Sequence, residues 1–202
     1  MKKAVFFFPL LLTLALGQVT VPERKHEGNA IISHRDPEVR IEVPTTAVYV
    51  GAERWVLYGV ADCELHGFVE ADAKKNVARL YWIQFEGYIP EKPDAKYAYD
   101  SPRHIQLGGM DFIVDTWARS RSAGARQGSD REHIEKIIAT QGLKMPAGMA
   151  YVRLVHLLDD RKRRELMIIY GEALLPGTPA TDLDEQGKDR QTKWPTNRTD
   201  PS

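Results

Sequence analysis

From Trp55 to Glu70 the chain alternates with a period of two. Trp55, Leu57, Gly59, Ala61, Cys63, Leu65, Gly67 and Val69 fall on one side, and Asp62, Glu64, His66 and Glu70 on the other. This is the pattern of a strand with one face in a core and one in water, and a helix cannot satisfy it. After a polar break at Asp72-Ala73-Lys74-Lys75-Asn76, the segment Val77 to Ile89 carries large apolar residues on both faces, Leu80, Trp82 and Tyr88 against Tyr81, Ile83 and Phe85. A strand covered on both sides is expected there. Further on, Gly108-Gly109 separates two apolar runs and signals a hairpin. The second run also fits helical spacing at Met110, Ile113, Val114 and Trp117, but the β-favouring Phe112-Ile113-Val114 and the lack of a capping side chain at either glycine favour a strand.

One helix stands out. Ser129 with Glu132 forms a capping box, Asp130 adds negative charge to the first turn, Ile134, Ile137, Ile138 and Gln141 make an inner stripe, and Gly142 with Pro146 ends it. Met149 to Leu158 and Arg164 to Leu174 then read as two strands joined across a charged connection. Strands joined by short turns cannot be parallel. The expected fold is therefore a single α+β domain, a mainly antiparallel, curved sheet packed on one principal helix over about 130–141, with a cavity between sheet and helix.

The ends read differently. Lys2 and Lys3 followed by an apolar run to Leu16, with Ala15 and Gly17 at the close, have the form of a secretory signal peptide over 1–17. Residues 18–45 are charged and proline-bearing and read as an extended arm whose piece Val39 to Val43 adds an edge strand. Residues 46–175 form the core domain, and 176–202, rich in Pro, Thr, Asp and Lys, read as a disordered tail. The expected location is periplasmic or secreted, with no membrane span once the signal is cleaved.

Charge and cysteine usage narrow the class. The 28 basic and 28 acidic residues balance, which speaks against a general nucleic-acid binder. Cys63 is the sole cysteine, so no internal disulfide can form. There is no phosphate loop, no nucleophile elbow and no paired-cysteine or HExxH metal signature. No cofactor and no metal are expected.

Three constellations carry chemistry. Glu64 and His66 share one strand face, close enough to pass a proton or share an ion if His104, His156 or Glu86 joins them. Cys63, on the opposite face, reads as a buried inert thiol. Tyr81, Gln84, Glu86 and Trp117 supply rings and polar atoms suited to lining a ligand cavity. Arg119, Arg121 and Arg126, just before the helix, suit an anion. The expected function is an exported, noncatalytic binding or interaction module for a small apolar or amphipathic ligand or for a protein partner in the cell envelope. The alternatives are a small hydrolase or isomerase using Glu64 and His66, or a subunit of an envelope assembly.

Overall fold

The computed structural model describes residues 21–120 and 124–175. The segment 1–17, Arg121 and the tail from 176 lie outside the described residues. Seven strands form one antiparallel sheet in the order β4-β5-β6-β10-β9-β8-β7. These are β4 (Val48–Leu57), β5 (Ala61–Ala71), β6 (Val77–Tyr88), β7 (His104–Leu107), β8 (Met110–Ser120), β9 (Gly148–Leu157) and β10 (Arg164–Ala173). Most pairings are local hairpins. The run from Trp55 to Glu70, expected as one strand, is a hairpin of β4 and β5, because its turn holds Tyr58 and Gly59 at φ 46° and 68°; the β7–β8 turn places Gly108 and Gly109 at φ 58° and 80°. Two successive positive φ angles match the right-handed twist of the flanking strands. The turn after β5 is closed by Asp72, whose carboxylate accepts from the backbone N–H groups of Lys74 and Asn76. The β6–β10 pairing is long-range and joins the two halves of the sheet.

Helix α1 (Asp130–Thr140) begins where the sequence places it. The Ser129 hydroxyl accepts from the Glu132 N–H, while Glu132 reaches back to the N–H of Gly128. Ile134, Ile137 and Ile138 are buried, whereas Gln141 is the exposed C-cap and not part of the inner stripe. The helix lies on β4 and β5, and Gly67 makes that approach close: a Cβ there would stand 2.7 Å from Ile134 Cδ1. Its apolar side joins Leu65, Val69, Leu80, Trp82, Met149, Val155, Met167 and Ile169 in one core.

The arm departs from expectation. Residues from Lys25 to Glu42 form their own three-stranded antiparallel sheet, β1 (Lys25–Glu27), β2 (Ala30–His34) and β3 (Glu38–Glu42), and add no edge to the main one. This small sheet covers the face opposite the helix, where Ile31 and Val43 pack with Phe68, Ile83, Phe85, Phe112 and Leu166 in a second core. The architecture is three-layered, helix on sheet on small sheet. The side of β5 expected to face water is thus largely buried: Glu64 and His66 are each 1% exposed. Period two gives the two faces of a strand, and what covers each face is decided by distant segments.

Candidate functional site

On the small-sheet side, Glu64 and His66 are joined directly, with His66 Nε2 2.9 Å from Glu64 Oε1. The rest of the surroundings come from the N-terminal segment. The Glu64 carboxylate also accepts from the backbone N–H of Glu23 (2.9 Å), the N–H of Arg24 (2.7 Å) and the Arg24 guanidinium (3.0 Å). Burial pushes this carboxyl up, but the hydrogen bonds from His66, the two backbone N–H groups and Arg24 outweigh it and bring its pKa to about 2. A carboxylate so held accepts no proton near neutral pH. His66 Nδ1 pairs with the Tyr49 hydroxyl at 3.2 Å, and burial with the nearby Glu64 charge raises Tyr49 to about 12. Arg24 further stacks over Phe85, and Arg54 ties Asp62 to Glu23. None of the anticipated third partners arrives: His104 bonds Asp111, His156 bonds the Asp111 carbonyl, and Glu86 faces the other side of the sheet. This constellation anchors the arm.

On the helix side a different group assembles. Glu86 on β6 and Glu165 on β10 stand opposite one another in register, with Cys63 opposite Glu86 on β5. Trp82 Nε1 donates to Gln84 (2.9 Å), Gln84 Nε2 donates to Glu86 (2.8 Å), and Tyr97 donates its hydroxyl to the other Glu86 oxygen (2.9 Å). Tyr99 donates to Glu165 at 2.6 Å. Arg153 bonds Asp115 and lies over the rings of Tyr99 and Trp117, the latter stacked on Tyr151. Gln84, Glu86, Arg153 and Glu165 are all buried. Burial and the Glu86 and Glu165 charges hold the Tyr97 and Tyr99 hydroxyls far above the ordinary tyrosine range, so both remain donors.

Tyr97 and Tyr99 sit on the 89–103 connection, which is fixed by a residue with no sequence signal of its own. The Arg163 guanidinium donates to the carbonyls of Tyr88, Ile89, Lys92, Pro93 and Ala95 at 2.5–3.3 Å. Ser101 secures the far end by donating to the Val114 carbonyl. The two tyrosines are thereby held over the paired carboxylates. A period-two reading of β6 and β10 finds Glu86 and Glu165 on inward faces, but their pairing follows from the β6–β10 register, which no local pattern encodes.

Of the four anticipated ligand-lining residues, Gln84, Glu86 and Trp117 share this side. Tyr81 lies on the opposite face, where its hydroxyl donates to Glu70. Among the described residues, Cys63 Sγ, a Glu86 oxygen and an Asp130 oxygen lie within 4.8 Å of one another, a donor set of metal-ligating type assembled from β5, β6 and the start of α1. Both Glu86 oxygens already accept hydrogen bonds from Gln84 and Tyr97. Of the anticipated anion residues, Arg126 stacks over the Tyr58 ring at 4.8 Å, Arg119 is half-buried on β8, and Arg121 lies outside the described residues. Asp130 and Glu132 put negative charge in the first helical turn. No helix among the described residues is long and apolar enough to cross a membrane. Comparison with protein-family models, curated proteins and solved structures finds no match to this chain.

Proposed function

We propose that the protein is an exported, noncatalytic binding module that takes a small amphipathic ligand on the helix side of its sheet, under Tyr97 and Tyr99. The observation that carries this reading is the burial of Glu86 and Glu165 opposite one another, each capped by a tyrosine hydroxyl from one connection. Burying carboxylates costs several kcal/mol each unless they are well paired, and a layer built for packing alone gains from apolar residues there. Polar groups set among Trp82, Trp117, Tyr99 and Tyr151 have the composition of a ligand site. A ligand with hydrogen-bond donors replaces the tyrosine hydroxyls on the carboxylates while its apolar part meets the rings. The saturated state of Glu64 speaks against the hydrolase or isomerase alternative. Export rests on the signal-like segment 1–17.

Native and denaturing mass spectrometry of the chain purified from an exported fraction tests this. The expected result is extra mass lost on denaturation, or gained from a panel of amphipathic small molecules, and diminished by Glu165→Gln. A bare processed chain that gains no mass from the panel overturns the ligand; an unprocessed chain retained in the cytoplasm overturns export.

A further inference from the structure

On the face opposite the helix, the small sheet covers only part of the large one. His26 on β1 stacks on Tyr49 of β4 and meets Phe68 of β5, while Asp36, between β2 and β3, pairs with Arg164 at the start of β10. The order β1-β2-β3 therefore runs from above β4 and β5 toward β10. Beyond β3 the floor continues: Ile168, Leu154 and Val114 form one register row, with Val152 beside them, all half-buried. Ile105 and Leu107 on β7 are 43% and 50% exposed. The helix and the 89–103 connection serve the other face, and Leu154 and Ile168, which border the second core, are only half-buried. The β3 strand pairs with β2 alone, and its second edge is open among the described residues.

We propose that the open edge of β3 and the apolar floor of Val114, Val152, Leu154 and Ile168 take one extended strand of a partner protein, continuing the small sheet across β9. Main-chain groups of β3 would give affinity, and alternate apolar residues of the partner would fill the floor. This continues the sheet-on-sheet interface that β1–β3 already make with the same face. The occupant must be a lone strand. A second copy pairing through its own β3 would bring its large sheet into the layer already filled by β9, β8 and β7. The chain's own segment 176–202 cannot serve, since Leu183 and Trp194 are its only large apolar residues and are not at alternating positions. Glu38, Arg40 and Glu42 are exposed on the outer side of β3, so the fitting strand carries basic, acidic and basic residues between its apolar ones. The inference does not rest on the helix-side ligand.

The test uses a fluorescent synthetic peptide, acetyl-Ser-Lys-Val-Glu-Val-Lys-Val-Ser amide, with the full mature chain. Saturable anisotropy is expected, with amide exchange slowed in β3, and Leu154→Asp is expected to weaken binding by about tenfold or more, the loss of roughly one buried apolar contact and its replacement by charge. Should Leu154→Asp fail to fold, Val114→Thr is expected to weaken binding by a smaller factor with melting unchanged. Absence of binding, protection confined to β4 or β7, or affinity indifferent to the folded floor variant overturns the proposal.

Discussion

Glu64 shows how much one side chain can organise. It receives two backbone N–H groups, one guanidinium and one imidazole while 1% exposed, so removing it leaves several buried donors without an acceptor. Glu64→Ala is expected to cost about 3–5 kcal/mol in denaturant unfolding, the range for breaking a buried ion pair. The pH dependence has a definite sign. A carboxyl whose pKa is about 2 when folded and near its ordinary 4.5 when unfolded contributes stability that is complete above about 4.5 and is lost as pH falls toward 2. Wild-type stability should therefore fall more steeply than that of Glu64→Gln between those values. Parallel slopes in urea titrations across that window would contradict the clamp. Lone residue types were read correctly where burial alone was at stake: Cys63 is fully buried on the face opposite His66, with its Sγ donating to the Ala61 carbonyl at 3.8 Å.

At the scale of elements, the β7–β8 hairpin and the capped helix follow from local chemistry. Gly108-Gly109 admits two positive φ angles and Ser129 supplies the acceptor that a helix start lacks, so neither needs distant contacts to be specified. The docking of α1 is another matter, because it depends on the absence of a side chain at Gly67. A Cβ there would lie 2.7 Å from Ile134 and 3.0 Å from Val50, so Gly67→Val forces the helix away from β5. A destabilisation of about 1–3 kcal/mol is expected, measured by thermal or urea unfolding, as for other overpacked cores. A neutral effect would mean that Ile134 repacks without moving the helix. The 89–103 connection shows the same dependence on tertiary contacts, since Arg163, from the charged turn before β10, holds four of its carbonyls and that of Tyr88 at the end of β6.

For the whole molecule, the N-terminal sheet is a structural layer. Deleting residues through Val43 uncovers Phe68, Ile83, Phe85 and Leu166 and strips Glu64 of three donors. The truncated chain is expected to bind a hydrophobic dye and lose its cooperative melting transition, whereas full retention of that transition would assign the layer no part in stability. The sequence by itself determined the α+β class, the antiparallel pairing, the limits of β6 to β10 to within a few residues, the helix and its cap, because alternation, turn chemistry and capping act over a few residues. Only the tertiary structure decided that the arm becomes a sheet, that Glu64 and His66 are enclosed beneath it, and that Glu86 and Glu165 meet under Tyr97 and Tyr99. Each of these joins segments far apart in the chain, where burial and register depend on what distant residues cover, and a local pattern carries no information about that.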